Sequence, residues 1–319
     1  MKLVILDSYA LRENDLDWQS LYSLVDEVIS YPRTAYSDIV SRLNGADFAI
    51  LNKCRIDDAV LCAVPTLKWI GVTATGTDNL DIAACRRHNV AVANVPGYST
   101  HSVAQLVFAL LGEVCQCPAR HEAALRKGHW QLNVPKRFAI TSQTELYGKT
   151  FGIIGYGDIG KQVAKIALAF GMKLLCYTRT VKSEYLSDDI SFVPLDILLQ
   201  HSDIITLHCP LTEGTRGIIN SKSLTKMKEN SILINTARGA LVDEDAVANA
   251  LNQNTLGAYG ADVFCTEPLN MDNSLLSARG AFLTPHIAWA TNEALSRLAA
   301  AVSDNLASFL QNTPKNIVN

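Results

Sequence analysis

The sequence predicts an α/β protein made of two domains, each a doubly wound sheet. Two observations predict this class. Short apolar stretches of strand length alternate with stretches of helical period along nearly the whole chain. The chain also has 319 residues, which suits two domains of ordinary size. We therefore expect mainly parallel strands covered by helices on both faces.

The first domain is predicted from residues 1–100 together with residues 290–319. A Pro96-Gly97 break marks its first boundary, and Ser99 or Thr100 can cap the helix that follows. A final helix, at 292–310, comes after the second domain is complete, so we expect it to return to the first domain. The other predicted elements are strands at 3–6, 48–51, 69–72 and 90–93 and helices at 37–43, 57–63 and 82–88.

The second domain is predicted from residues 101–289. Its opening helix, 101–117, is apolar on most of its surface, which indicates burial in its own domain or against a second copy of the chain. Residues 118–149 are polar, and we expect them to be irregular. The remaining predicted elements are strands at 151–154, 173–177, 204–207, 232–235, 256–261 and 281–283 and helices behind residue 158 and at 221–227 and 243–251.

A glycine-rich turn between the first strand and helix of this domain organises the chain. Gly155 permits the tight turn, Gly157 lets the backbone approach a pyrophosphate, and Gly160 lets helix and strand pack closely. The N-terminus of the helix then offers N–H groups to the phosphates. With a strand before, a helix after and a second strand ending at Tyr177, the pattern predicts a Rossmann dinucleotide site. The full motif is Gly155, Tyr156, Gly157, Asp158, Ile159 and Gly160.

The end of the second strand departs from the usual pattern. An acidic residue is expected there to hold the ribose hydroxyls. The chain instead has Thr178, Arg179 and Thr180, with Lys182 close behind. Arg179 is either a solvent-facing loop residue or the partner of the 2′-phosphate of NADP. We favour the second interpretation, so NADP is the expected coenzyme and NAD the alternative.

Composition excludes several other classes. A formal charge of −3 and a pI near 6.2 give no electrostatic reason to expect a nucleic acid or an anionic membrane as partner. Asp7 comes too early for a signal peptide, and no apolar run approaches membrane length, so a cytoplasmic protein is expected. The eight cysteines form no C-x-x-C pair, and Leu125 stands where a zinc helix beginning His121-Glu122 needs its second histidine. No metal is predicted.

Three charged residues follow strands on consecutive loops after the nucleotide motif. Arg238 follows the strand ending at Asn235, Glu267 follows the strand ending at Ala261, and His286 follows Leu283. Each alone has a plain interpretation as a solvated loop residue. Together, at the carboxyl edge of a parallel sheet, they predict an active site.

Six motifs in order resemble the D-isomer-specific 2-hydroxyacid dehydrogenases over nearly the whole chain. One is the coenzyme motif itself, at 155–160, and two lie before and after it in the chain, at 72–79 and 207–212. The other three carry the charged residues, at 235–239, 262–268 and 285–290. The segment at 3–7, the Asn52-Lys53 pair and the segment 286–291 resemble the glycerate dehydrogenase (hydroxypyruvate reductase) branch. The resemblance implies a Rossmann coenzyme domain inserted in a flavodoxin-like substrate domain.

The resemblance also implies roles for individual residues. His286 is the general acid that protonates the carbonyl oxygen of a small 2-keto acid, and Glu267 pairs with it and favours the imidazolium. Arg238 holds the substrate carboxylate and polarises the carbonyl, and the turn Thr75-Gly76 offers backbone N–H groups to the same carboxylate. Lys53 is a further candidate for contact with the substrate. Coenzyme contacts are implied for His208, Cys209, Pro210, Thr215, Thr236, Ala237, Asp262 and His286.

The sequence departs from the family pattern at two positions, and two other functions are considered. Gln105 stands where many relatives have glutamate, and the end of the second strand lacks its acid. A dinucleotide-sensing corepressor and a phosphoglycerate dehydrogenase are the alternative functions. The R group of the substrate is left open, although Asn52, Lys53, Tyr98 and Trp289 are candidates to line its pocket. The family resemblance and helix 101–117 together predict a homodimer.

Overall fold

The computed structural model describes residues 1–11, 16–132, 140–181 and 189–319. Contacts divide the chain into two units. The first consists of Met1–Ser99 and Ala290–Asn319, and the second of Thr100–Trp289. Each unit contains one parallel sheet, so the predicted fold class is confirmed.

The first unit is built on a five-stranded parallel sheet in the order β2-β1-β3-β4-β5, which is the flavodoxin-like order. Its strands are short, and all except the edge strand β2 are almost wholly buried, as expected for a sheet covered on both faces. The elements are β1 (Lys2–Ile5), α1 (Gln19–Tyr22), β2 (Glu27–Ser30), α2 (Ile39–Leu43), β3 (Phe48–Leu51), α3 (Asp58–Ala63), β4 (Trp69–Val72), α4 (Ile82–Arg87) and β5 (Ala91–Ala93).

The C-terminal helix completes this unit. It spans Asn292–Leu310, is numbered α12, and is capped by the Thr291 hydroxyl, which accepts a hydrogen bond from the N–H of Ala294. Phe309 near its end packs its ring against Phe48 and Trp69, with centroids 6.2 and 6.4 Å away. Through these contacts α12 covers part of one face of β3 and β4.

A buried carboxylate fixes the loop after β3. Asp7 is 5% exposed and accepts hydrogen bonds from the backbone N–H groups of Asn52, Lys53 and Cys54, at 2.8, 2.6 and 3.2 Å. The Asn52 side chain in turn donates to the carbonyl oxygen of Thr73 at 2.7 Å. The loop that carries Lys53 is therefore held from two sides.

The second unit is built on a seven-stranded parallel sheet in the order β12-β11-β10-β9-β6-β7-β8. The strand order reverses between β6 and β9, and such a switch point is where open α/β sheets bind ligands. Its elements are α5 (Thr100–Gln116), α6 (Pro118–Arg126), α7 (His129–Leu132), β6 (Thr150–Ile154), α8 (Asp158–Ala169), β7 (Lys173–Tyr177), β8 (Ile190–Phe192), α9 (Leu195–His201), β9 (Ile204–Leu207), α10 (Ser221–Leu224), β10 (Ile232–Asn235), α11 (Glu244–Asn252), β11 (Ala258–Ala261) and β12 (Ala281–Leu283).

The expectation that residues 118–149 are irregular is wrong. The segment begins with α6 and α7, and Pro118 at the first helical turn fits the start of a helix. Their residues are mostly exposed and polar, so no apolar periodicity marks them. Four shorter elements were also not predicted, namely α1, β2, β8 and α9; β2 and β8 are edge strands without an alternating or continuous apolar pattern.

Helix α5 is buried on the side that faces its own sheet. Leu106 and Phe108 are half-buried, and the Phe108 ring stacks between the rings of Phe151 and Phe170. Gln105 is exposed. Within the described residues no single helix is long and apolar enough to cross a membrane; α5 and α6 reach that length only as a pair bent by 54°.

The Asp7 contacts generate a stability prediction. Asp7→Ala leaves three N–H groups without their buried acceptor, so we expect the free energy of unfolding to fall by about 2–5 kcal/mol in urea titrations. Asp304→Ala is the matched control, because that carboxylate is exposed and pairs with Lys315 on the surface. Equal urea midpoints for the two variants would contradict this account of the loop.

Candidate active site

The glycine-rich turn after β6 is shaped by close backbone contacts. Gly155 has a φ of +102°, and a Cβ there would lie 2.5 Å from the carbonyl carbon of His208 and 2.4 Å from the nitrogen of Cys209. A Cβ at Gly160 would lie 2.2 Å from the oxygen of Gly155. Only glycine permits these approaches, which bring the loops after β6 and β9 together at the switch point.

The same turn fits a dinucleotide. A Cβ at Gly157 would have no protein atom within 4 Å, so the backbone there faces open space. Helix α8 starts at Asp158 without a capping side chain, which leaves its first N–H groups available to an anion. The buried hydroxyl of Thr236, beyond β10, also has no hydrogen-bond partner among the described residues. Free donors at the turn and a buried polar atom without a partner are features of a ligand site.

Other residues of the motif differ in exposure. Tyr156 is buried and packs edge-on against Phe192, so its side chain belongs to the core. Asp158 is exposed and Ile159 is half-buried. At the end of β7, Thr178 is half-buried, and the two residues after it, Arg179 and Thr180, are exposed. Lys182 lies outside the described residues.

The loop after β9 is held by its own polar groups. The Thr215 hydroxyl donates to the carbonyl oxygen of Pro210 at 2.7 Å and accepts from the N–H of Thr212 at 2.8 Å. The His208 ring lies 2.9 Å from the Thr206 hydroxyl, and burial lowers the pKa of His208 to about 3. This histidine is therefore neutral at physiological pH. Burial likewise raises the pKa of the Cys209 thiol to about 11, so that thiol stays protonated.

The structure brings His286 and Glu267 into direct contact. The ring Nδ1–H of His286 donates to Oε2 of Glu267 across 2.6 Å, and both side chains are 28% exposed. The other oxygen of Glu267 accepts from the N–H of Phe264 at 3.1 Å. The carboxylate therefore fixes the ring, and Nε2 is left as the nitrogen that can exchange a proton with a substrate.

Asp262 positions the loop that carries the histidine. Its fully buried carboxylate accepts from the Thr284 hydroxyl at 2.6 Å and from the N–H groups of Ile287 and Ala288 at 2.9 and 2.7 Å. Burial raises its pKa, while these three hydrogen bonds act in the opposite direction. His286 has a φ of +54°, an unfavourable conformation for a histidine, and the bonds to the residues around it hold the backbone there.

Two features after β10 position Arg238. The buried Asn235 side chain accepts from the N–H of Ala237 at 3.0 Å and donates to the carbonyl oxygen of Arg238 at 2.9 Å. A Cβ at Gly239 would lie 1.9 Å from the carbonyl carbon of Phe264, so glycine is needed where this loop passes the one after β11. The guanidinium, half-buried, donates to the carbonyl oxygen of Ala237 at 2.8 Å. The loops bearing Arg238 and Glu267 are therefore in contact.

The predicted substrate residues of the first unit lie on loops after β3 and β4. Lys53 is exposed on the loop held by Asp7. The Thr75 hydroxyl donates to the carbonyl oxygen of Val95 at 2.9 Å, and the carbonyl oxygen of Thr75 accepts from Asn94 at 2.7 Å. The turn Thr75-Gly76 is thus fixed within its own unit.

Sequence reasoning assigned no role to Asn235 or Asp7, and it treated Asp262 only as a coenzyme contact. Each of these side chains accepts hydrogen bonds from backbone N–H groups of a loop that carries a candidate residue. A signal was present, since Asn235 ends β10, Asp262 directly follows β11, and Asp7 lies two residues after β1. Such a residue has backbone groups of neighbouring loops within reach.

Comparison with known proteins gives whole-length similarities. A sequence profile described as "D-isomer specific 2-hydroxyacid dehydrogenase, NAD binding domain" matches residues 108–288. The chain is 41% identical over 322 aligned residues to a hydroxypyruvate reductase of Blautia hydrogenotrophica, with 100% of both proteins covered. It is 40% identical over 285 residues to a glycerate dehydrogenase of Methylorubrum extorquens, with 88% of each covered.

A solved structure gives the same result. The D-lactate dehydrogenase of Aquifex aeolicus, determined with NAD and lactic acid, superposes with a TM-score of 0.87 at 29% identity. The superposition covers 100% of this chain and 99% of that one. The similarity therefore extends over both units.

Proposed function

Because the chain belongs to the D-isomer-specific 2-hydroxyacid dehydrogenase family, we propose that it reduces a small, polar 2-keto acid, hydroxypyruvate or glyoxylate. The general activity, an oxidoreductase that uses a nicotinamide dinucleotide and acts on small keto or hydroxy acids, follows from the family and its relatives. The proposal for the substrate rests on one observation, the 41% identity over the full length to a hydroxypyruvate reductase. The relatives favour neither a corepressor nor a phosphoglycerate dehydrogenase.

Residues of this chain supply the proton donor and the contacts to the substrate. A bound nicotinamide dinucleotide supplies the hydride for C2 of the keto acid. His286 Nε2 gives its proton to the carbonyl oxygen, and Glu267 stabilises the imidazolium before that transfer. Arg238 binds the substrate carboxylate through its planar fork. Hydroxypyruvate then gives D-glycerate and glyoxylate gives the achiral glycolate, and His286 is left neutral.

We further assign the two units different tasks. Residues 1–100 and 290–319 form the substrate domain, which contributes Lys53, Thr75 and Gly76. Residues 101–289 form the dinucleotide-binding domain. The Asn52-Lys53 pair suits a substrate whose side chain carries a hydroxyl or is absent, as in hydroxypyruvate and glyoxylate. We place the reaction in the cytoplasm, in accordance with the sequence-based expectation.

The substrate proposal is tested by steady-state kinetics on a panel of 2-keto acids. Hydroxypyruvate or glyoxylate is expected to exceed pyruvate and phenylpyruvate in kcat/KM by about tenfold or more, because polar groups left unpaired by the wrong substrate reduce its transition-state binding. Chiral analysis of the glycerate formed from hydroxypyruvate checks for the D isomer. A higher kcat/KM for phenylpyruvate, or for phosphorylated hydroxypyruvate, would reject the proposed substrate.

The role of the histidine has its own test. His286→Ala is expected to lower kcat by about 10²–10⁴-fold while the dissociation constant of the coenzyme changes little. His201→Ala is the matched control, since this histidine is exposed at the end of α9 in the same unit. In Glu267→Gln the His286 ring loses its charged hydrogen-bond partner, so kcat is expected to fall while the dissociation constant of the coenzyme changes little. A kcat equal to that of the wild type would separate Glu267 from the proton transfer.

Coenzyme choice is tested at the end of β7. We propose that Arg179 pairs with the 2′-phosphate of NADP and that Thr178 and Thr180 add hydrogen bonds. A hydrogen bond to a charged group contributes about 1.5–3 kcal/mol, or about 10- to 150-fold in affinity. NADPH is therefore expected to exceed NADH in kcat/KM by at least about tenfold. Arg179→Ala should remove most of this margin, and Thr178→Asp should reverse it because a carboxylate repels the phosphate.

These kinetics have two outcomes that contradict the coenzyme proposal. One is a wild-type preference for NADH. The other is an unchanged NADPH-to-NADH ratio in Arg179→Ala, which would make Arg179 a solvated loop residue. Arg216→Ala serves as the control, because Arg216 follows the loop after β9 and has no role in this proposal.

We also propose a homodimer formed through the second unit. Two of its large apolar side chains are exposed, Leu125 on α6 by 41% and Trp130 on α7 by 59%. Both helices follow α5 in the chain. Light scattering at micromolar concentration is expected to give twice the chain mass, and Trp130→Asp should weaken the dimer. Met271→Asp is the control, at a loop residue that is 91% exposed. A monomeric wild type would refute the assembly.

A further inference from the structure

Three side chains with metal-binding atoms meet on the surface of the first unit. Asp58 and Cys62 lie on α3 at positions i and i+4, which places them on one face of the helix. His88 follows α4 directly as its C-cap residue. The oxygen, sulfur and nitrogen atoms that these residues offer all lie within 4.8 Å of one another. None of the three has a role in the proposed reaction.

Two distances agree with a tetrahedral cation site in which Oδ2 of Asp58 is the ligand oxygen. The Cys62 sulfur is 3.7 Å from Nε2 of His88 and 3.9 Å from Oδ2 of Asp58. Zinc binds sulfur at about 2.3 Å and nitrogen or oxygen at about 2.0–2.2 Å, so tetrahedral angles put sulfur about 3.6 Å from nitrogen or oxygen. Both observed separations lie within about 0.3 Å of this value. The 3.2 Å contact of Nε2 is with the other oxygen of the carboxylate, Oδ1.

We propose that Asp58, Cys62 and His88 bind a divalent cation of the zinc type. Thiolate and imidazole together select borderline and soft metals such as Zn²⁺ over Mg²⁺ or Ca²⁺, which prefer oxygen ligands. The cation takes the place of the thiol proton, and water occupies the fourth position, because Cys62 is exposed at the rim of the cluster. The three ligands would carry two negative charges, which balance the charge of the metal.

Arg87 completes the surroundings of the site. Its guanidinium donates to Oδ1 of Asp58 at 2.8 Å, while Oδ2 of the same carboxylate faces Cys62. One carboxylate can bind a metal through one oxygen and accept a hydrogen bond through the other, and ligating carboxylates commonly have such a partner. Arg87 thus orients Asp58 without being a ligand. The bound cation would join α3 to α4 and stabilise the first unit.

Cobalt titration of the reduced, full-length protein tests the proposal. Co²⁺ in a tetrahedral site with a thiolate ligand absorbs in the near ultraviolet by charge transfer from sulfur, and it has d–d bands in the visible. We expect both signals to saturate at about one Co²⁺ per chain and Zn²⁺ to abolish them by displacement, as one three-ligand site requires. Zn²⁺ should also raise the melting temperature, since a ligand of the folded state stabilises it.

Single substitutions test which residues bind the cation. Cys62→Ser should abolish the charge-transfer band and the Zn²⁺-dependent melting shift, and Asp58→Asn and His88→Gln should weaken cobalt binding by about tenfold or more. Cys265→Ser, which removes the other exposed cysteine, should leave the band unchanged. A wild type without the band, or a band that survives Cys62→Ser, would overturn the proposal and leave a hydrogen-bonded contact between two helices. Dehydrogenase activity does not enter these measurements, so the result is independent of the proposed function.

Discussion

The position of the candidate acid depends on one buried carboxylate. Asp262 directly follows β11 and is fully buried, and burial of a charge there is unfavourable unless hydrogen bonds compensate it. The compensating donors are the Thr284 hydroxyl and two N–H groups that follow His286. The same bonds that stabilise the carboxylate therefore hold the histidine backbone in its left-handed conformation. Ser102 adds to this arrangement, because its hydroxyl donates to the carbonyl oxygen of Ala288.

The loops around this point pack against one another with no room for side chains. Gly239 passes the peptide after Phe264 so closely that any Cβ would overlap it, and Gly155 meets the loop after β9 in the same way. Both contacts lie at the carboxyl edge of the sheet, where neighbouring strands end at the same level. The glycines of the two motifs thus have a shared purpose. They allow chemistry-bearing loops from different strands to approach within contact distance.

The sequence was sufficient to predict those features that are specified by residues close together in the chain. The glycine-rich turn, the strands beside it and the placement of Arg238, Glu267 and His286 after consecutive strands all follow from periodicity and spacing. It was insufficient where partners are distant in the chain. Asp7 lies about 45 residues from the loop that it holds, and no local pattern predicts that pairing. Helix α6 was missed for another reason, since it contributes one buried residue, Ala124, and so shows no apolar stripe.

The order of the chain also affects how the protein forms during synthesis. The sheet of the first unit is complete in sequence by Ala93, yet the helix that covers Phe48 and Trp69 begins at Asn292. On the ribosome more than two hundred residues must follow Ala93 before Phe309 can reach these aromatic rings, while the intervening unit has all of its strands and can fold. The N-terminal unit is therefore the last to mature, and during translation it is the part that most needs protection from aggregation.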